Sequence, residues 1–160
     1  MSDGLLFALT LLSALGCGLV AGIFFAFSTF VMRALGNLPP AHGMDAMKSI
    51  NAVVINRWFL TVFFGTAATC VLVIILSLLR WQDPGVAYQL VGSLLYLLGT
   101  VLVTMVFNVP RNNALKAVES ASAVGSRLWA DYLNTWTAWN HVRTLAALAA
   151  AASLTLSLCH

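Results

Sequence analysis

Reading apolar against polar positions along the chain, four long stretches stand out in which charged side chains are almost absent: residues 5–32, 58–79, 86–109 and 133–158. Each is long enough for the roughly 20 residues that carry an α-helix across a bilayer. Between the first and second stretches the pattern changes. Asn37-Leu38-Pro39-Pro40 interrupts any continuous helix. Beyond it Met44, Met47, Ile50 and Val54 recur at helical spacing, with Asp45, Lys48, Asn51 and Asn56 interleaved. That pattern predicts a short amphipathic helix lying in the membrane interface. Arg80-Trp81-Gln82-Asp83-Pro84-Gly85 predicts a tight turn between the second and third helices, and the polar run from Arg111 to Asp131 the last connection. The expected fold is all-α: a single integral membrane domain over residues 1–160, built as an up-down-up-down four-helix bundle with the interfacial helix between helices one and two.

Three local patterns refine this outline. Gly18, Gly22 and Ala26 stand four residues apart, a spacing that lets two helices approach closely or two copies of the chain associate, and the Ala146 to Ala152 run permits close packing in the last helix. Tyr96, Thr100, Thr104, Asn108 and Asn112 form a polar stripe along one face of the third helix. The last helix carries Trp136-Thr137-Ala138-Trp139-Asn140-His141-Val142-Arg143, an amide, an imidazole and a guanidinium inside a stretch otherwise fit to span. Polar and ionisable groups there are costly, turn toward the bundle interior, and mark functional sites by default. At 100° per residue, Trp136, Asn140, Arg143 and Thr144 share a face and His141 lies at its edge.

Composition agrees with a membrane protein: 61% of residues are hydrophobic and 8% charged, against about 25% charged in soluble domains. The net charge of +3 does not point to nucleic acid, because the charges gather at helix ends. Arg33, Lys48, Arg57, Arg111, Lys116 and Arg127 lie in or beside the two long connections and Arg80 alone lies in the short one. By the positive-inside rule both long connections face the cytoplasm and both termini face out, as in an integral protein of a bacterial inner membrane. The N-terminal apolar run reads as helix one, not an export signal: no Lys or Arg precedes it and it continues to Met32. Cys17, Cys70 and Cys159 lie in apolar segments without CxxC spacing and read as buried small hydrophobes.

In such a bundle the end of helix one, the start of two, the end of three and the start of four share one membrane face. Arg33, Asn56, Arg57, Asn108, Arg111, Asn112, Trp136, Asn140, His141 and Arg143 therefore converge from four segments, whereas the opposite end offers little polarity. A pocket between facing helices, opening at the basic face, is expected there. Its contents limit the chemistry. His141 is the one member able to exchange a proton near neutral pH. No second helical histidine or suitably spaced carboxylate accompanies it, so no metal site is expected, although His141 leaves a single-histidine haem open as an alternative. Phosphate loops, nucleophile elbows and dinucleotide fingerprints are absent from the sequence.

Four segments, Phe24 to Pro40 (FFAFSTFVMRALGNLPP), Ala46 to Trp58 (AMKSINAVVINRW), Phe107 to Leu115 (FNVPRNNAL) and Trp136 to Thr144 (WTAWNHVRT), resemble the small four-helix membrane family DUF1772, also called the anthrone oxygenase family. The resemblance implies oxygenation of an anthrone, a tricyclic phenolic ketone, to an anthraquinone with O₂ as co-substrate and without metal or flavin. It implies His141 as general base, with Asn140, Asn108 and Arg143 stabilising enolate and peroxide charge. Trp136 and Trp139 would flank the flat substrate. Arg33, Arg57 and Asn112 would close the mouth, with Asn56 and Arg111 beside them. The alternative is a non-enzymatic membrane binder or transporter of an amphiphilic small molecule, with a purely structural helper as a third reading. A small lipophilic molecule and membrane lipid are the expected partners, with a homo-oligomer open.

Overall fold

A computed structural model describes residues 3–160. Among the described residues the chain is helical and contains no strand. Helix α1 spans Gly4–Gly36, α2 Pro40–Val53, α3 Arg57–Leu78, α4 Val86–Ala117 and α5 Ala123–Ser157. The elements expected from the hydropathy pattern are all present, and their boundaries follow local chemistry. Pro40 opens α2 at a position where its missing N–H costs nothing. Asn56 caps α3 by accepting from the amides of Trp58 and Phe59 at 3.0 and 3.1 Å. Ser122 caps α5 by accepting from Gly125 at 2.9 Å, so that helix starts well before the expected residue 133.

The bundle is antiparallel between neighbours, as the cross-helix contacts show. Ser13 pairs with Thr69, Tyr96 with the Phe63 carbonyl, Ser77 with Gln89, Ser153 with the Tyr88 carbonyl, and Ser28 with Thr144. Where two contacts join the same pair of helices the order reverses from one helix to the other: Phe63 meets Tyr96 and Ser77 meets Gln89, and Ser13 meets Thr69 while Gly16 meets Thr66. Contacts run from α1 to α3, α3 to α4, α4 to α5 and α5 back to α1, closing a four-helix ring.

Three of these helices, α1, α3 and α4, are long and apolar enough to cross a membrane. Four such spans were expected. The exception is α5, in which Asn134, Asn140, His141 and Arg143 interrupt the apolar run. At 35 residues it is about 50 Å long, longer than the roughly 30 Å hydrocarbon core. Its first turns therefore extend past the hydrocarbon core, as do the ends of α1 and α4, and carry Trp129 and Tyr132 into a second core with Met32, Leu35, Met44, Met47 and Leu115. Helix α2 packs on this cluster by Met44 and Met47. Lys48 fastens it, donating to the Val118 carbonyl at 2.6 Å and to Ser120 at 2.9 Å, while Ser120 donates to Asp45.

The close helix approaches differ from those the glycine spacing predicts. Gly18 and Gly22 face open space, because the α1 side that meets α3 and α5 is the one carrying Ser13, Cys17, Val20 and Phe24. The tight contacts occur at Gly16 against Thr66, Gly92 against Leu154 and Gly99 against Ala146. Cys17 and Cys70 are buried as expected, but Cys159 is exposed at the chain end. A Cβ at Gly99 would collide with that of Ala146. Gly99→Leu is expected to cost about 1–3 kcal/mol through overpacking, read as a lower denaturation midpoint in lipid, whereas Gly18→Leu leaves the midpoint in place. Equal midpoints for the two variants would contradict the packing described.

Helices α1 and α4 are not uniformly α. The turns widen to π geometry at Phe27–Val31 in α1 and at Leu95–Leu102 and Thr104–Asn108 in α4. Such turns recur where a helix must present backbone or side chains to a site, and two of the three border the buried polar group described next.

Candidate functional site

Beneath α2, where α1, α3, α4 and α5 approach one another, a cavity of about 240 Å³ remains. Phe24, Phe27, Phe59, Phe63 and Trp136 form aromatic walls, and Met47 and Ile50 of α2 form a roof. Its polar lining is limited to Asn51, Thr104, Asn112 and Arg143. The volume is small beside the roughly 300–1,000 Å³ of pockets for drug-sized molecules, so a compact ligand is indicated.

Arg143 is the dominant group. It is 3% exposed, and no carboxylate among the described residues pairs with it. Nη2 donates to Asn140 Oδ1 at 2.7 Å and Nη1 to Thr104 Oγ1 at 3.2 Å, while Nε has no partner. The guanidinium lies 4.1 Å from the Phe24 ring centroid and 5.1 Å from that of Trp136. Aromatic faces offset part of the desolvation of a cation, but a buried charge without a counter-ion remains costly.

The surrounding residues hold this group in place. Asn140 is fully buried and its Nδ2 donates to the Phe24 carbonyl and to Ser28 Oγ, both at 2.7 Å. Those acceptors lie where α1 enters its widened turns. Thr144 donates to the Asn140 carbonyl at 2.8 Å and shares a 3.0 Å hydrogen bond with Ser28. On α4, Asn108 donates to the Trp136 carbonyl at 3.2 Å and leaves Oδ1 buried without a partner. Asn112 Oδ1 accepts from Trp136 Nε1 at 2.8 Å and from Tyr132 at 2.7 Å, and Asn51 donates to the same Tyr132 oxygen at 3.4 Å. Trp136 is flanked by Phe27 and Tyr132, with ring centroids 5.7 and 5.8 Å away.

The structure thus brings together Asn108, Asn112, Trp136, Asn140 and Arg143 of the residues singled out in the sequence. Six others lie elsewhere. His141 is exposed on the outer face of α5 with Val142 and Leu145, since one residue along a helix turns the side chain about 100° away from Asn140. That position leaves its imidazole outside the cavity. Trp139 stacks on Phe107 at 3.6 Å and 7°, in the seam of α4 and α5. Arg111 bridges the same helices, donating to the Phe107 carbonyl at 2.7 Å and to Thr135 at 3.2 Å. Arg33 is exposed beside a separate surface groove with Ser28, Thr29 and Thr137. Asn56 is spent on its cap, and Arg57 is exposed, 4.8 Å from the Trp58 ring. None of the six lines the cavity.

Conversely, Asn51, Tyr132 and Thr104 belong to the site although the sequence reading did not place them there. Asn51 counted as the polar side of an interfacial helix, Thr104 as part of the polar stripe of the third helix, and Tyr132 was not singled out. Thr104 does donate to the Thr100 carbonyl at 2.7 Å, and this leaves its oxygen free to accept from Arg143.

A family model for anthrone oxygenases matches residues 57–153, more than half of the chain. The chain belongs to the anthrone oxygenase family. No curated protein and no solved structure matches it. The matched segment begins at the first residue of α3 and takes in α4 and nearly all of α5, so it contains Thr104, Asn108, Asn112, Trp136, Asn140 and Arg143. It leaves out the α1 turns that supply Phe24 and Ser28 and the α2 roof. An anthrone oxygenase domain suggests an oxygenase-like role, and three helices able to cross a membrane agree with a membrane protein.

Proposed function

We propose that this protein is a membrane-embedded oxygenase that converts a flat, lipophilic phenolic ketone of the anthrone type to its quinone, with O₂ as oxidant and no resident redox cofactor. The observation that carries this reading is the Arg143 guanidinium, buried against an aromatic-walled cavity with no counter-ion and no partner for Nε among the described residues. Such a group is suited to an oxygen that becomes anionic during reaction, because a fixed cation in a water-poor site stabilises developing charge without reorganising.

The steps are as follows. The ketone oxygen accepts from Arg143 while Phe24, Phe27 and Trp136 hold the ring plane. Loss of a methylene proton to a water molecule on the polar Asn51 and Asn112 side of the cavity gives the enolate, and the guanidinium favours that loss by favouring the anion. The enolate passes one electron to O₂, and the resulting radical and superoxide join in a carbon–oxygen bond. Protonation gives a hydroperoxide. Its remaining C–H proton and the terminal hydroxyl then leave as water, and the carbon becomes the second carbonyl. One CH₂ and one O₂ become one C=O and one H₂O. Among the described residues the cavity lining includes no imidazole and no carboxylate, so the chain acts chiefly by binding the anion and orienting the rings.

The test is purified protein in lipid nanodiscs with anthrone in air. Quinone absorbance rising faster than the spontaneous background supports the proposal. Binding of anthrone with no rate enhancement would instead assign the protein to the binders or transporters of small amphiphiles. Because His141 faces outward, His141→Ala is expected to leave the rate unchanged; a large loss would return that imidazole to the mechanism.

A further inference from the structure

We infer that the cavity is filled sideways from the bilayer, through a portal between the first turns of α3 and the Thr104–Val109 part of α4, framed by Ile55, Phe64 and Met105. This rests on the proposed use of the cavity and specifies the physical state of its ligand, a neutral molecule dissolved in lipid.

Two sets of observations support the portal. The first is the way α3 and α4 separate. They are bound together by Ser77 to Gln89 at 2.6 Å and by Tyr96 to the Phe63 carbonyl at 3.0 Å, and they pack along Val86–Leu102. At the widened turn Thr104–Asn108 the packing of α4 on α3 all but ceases. The gap so formed is bordered by cavity-lining side chains that also reach the outer surface: Ile55 is 69% exposed, Phe64 49% and Met105 51%. All three are apolar. Phe64 and Met105 lie on helices able to cross a membrane, where an exposed apolar surface is in contact with acyl chains, and Ile55 lies in the turn just before α3.

The second set shows that the other approach is closed. Toward the basic face the cavity is roofed by Met47 and Ile50 of α2, a helix held by Lys48 to Val118 and Ser120, by Ser120 to Asp45 and by Asn51 to Tyr132. Entry from that side requires these hydrogen bonds to break. Entry between α3 and α4 requires Phe64 and Met105 to change rotamer and a lipid chain to move, with no hydrogen bond lost. Met105, unbranched and flexible, suits a position that must yield and close again. The portal presents no formal charge, so an ionised ligand would be rejected there, and ionisation is confined to the interior where Arg143 waits. Ile55, Phe64 and Met105 thereby determine specificity by admitting flat lipophilic molecules.

The experiment uses the full chain in nanodiscs, with 9-methylanthracene preloaded in donor vesicles as a fluorescent probe and anthrone as the reactive one. Arrival of the probe is read as emission sensitised by the protein's tryptophans. Ile55→Phe/Met105→Phe narrows the gap without touching the polar lining, and Lys48→Ala loosens the α2 roof. Association is expected to slow by about tenfold in the double variant, the effect of a modest steric barrier, and to be unchanged in Lys48→Ala. Equal helicity of the three proteins by circular dichroism controls for folding. Faster association in Lys48→Ala with no change in the double variant would overturn the portal in favour of the aqueous route. If the double variant slows probe arrival but the wild type does not oxidise anthrone, the portal stands and the oxygenase reading falls. If anthrone is oxidised and the rate ignores the double variant, the reverse holds. A wild type that takes up no probe overturns both.

Discussion

Arg143→Met is expected to lower the rate of quinone formation by roughly 10²–10³-fold, the usual loss when a fixed donor to a developing oxyanion is removed, while the folded protein becomes no less stable. The two halves of this result have one cause. Arg143 has no counter-ion among the described residues and leaves Nε unpartnered, so its burial is a cost to the fold, and methionine, flexible and uncharged, replaces it without a charge to desolvate. Its two donated bonds are lost: Asn140 Nδ2 keeps Phe24 and Ser28 and Thr104 keeps Thr100, while Asn140 Oδ1 loses its donor, a cost that the removal of the buried charge offsets. Activity and denaturation midpoint should therefore separate. Lysine at this position retains charge but not the forked donors, and should recover only part of the rate. The measurement is quinone absorbance alongside a denaturation curve in the same lipid. An active Arg143→Met protein would refute the assigned role, and an unfolded one would mean that the guanidinium is a structural tie.

Trp136→Ala is expected to have the largest effect on stability, about 3–5 kcal/mol, the range for removing a large buried aromatic. Trp136 is 5% exposed, lies between Phe27 and Tyr132, donates Nε1 to Asn112 and gives Arg143 one of its two aromatic faces. Its loss would empty the cavity wall and free the Asn112 acceptor together. Trp136→Phe, which keeps the ring but not the indole N–H, should lose only about 1 kcal/mol, one hydrogen bond's net contribution. The contrast is read from unfolding midpoints of the two variants. Similar losses for both would place the importance of this residue in the Asn112 bond and not in its packing.

Much of this architecture could be read from one dimension. Runs of apolar residues of spanning length, the Pro39-Pro40 break, the amphipathic spacing of Met44, Met47 and Ile50 and the Arg80–Gly85 turn were enough for the helices, their order and their alternating direction. Short connections leave neighbouring helices few other arrangements. The same reading identified Asn140 and Arg143, since polarity within a spanning helix is costly wherever it points. It overcounted the apolar spans by one for the same reason: the polar residues that mark α5 as functional also lower its hydropathy.

Which polar groups meet depended on features that no pattern of residue types encodes. His141 and Asn140 are adjacent in sequence and carry equal weight in a polarity scan, yet the 100° turn between them puts one on the outer surface and the other in the buried centre. Arg33, Asn56, Arg57 and Arg111 reach the correct end of the bundle, but capping, stacking and a seam contact occupy Asn56, Arg57 and Arg111, while Arg33 borders a separate groove. The widened turns in α1 and α4 contain Ser28, which meets Asn140, and Thr104, which meets Arg143, and the packing of α4 on α3 all but ceases at Thr104–Asn108. Hydrophobic periodicity determined that this chain forms a bundle with polar groups at one end. Helix phase and packing, which depend on contacts between residues up to 116 positions apart, decided that those groups surround one unpaired arginine beside a cavity.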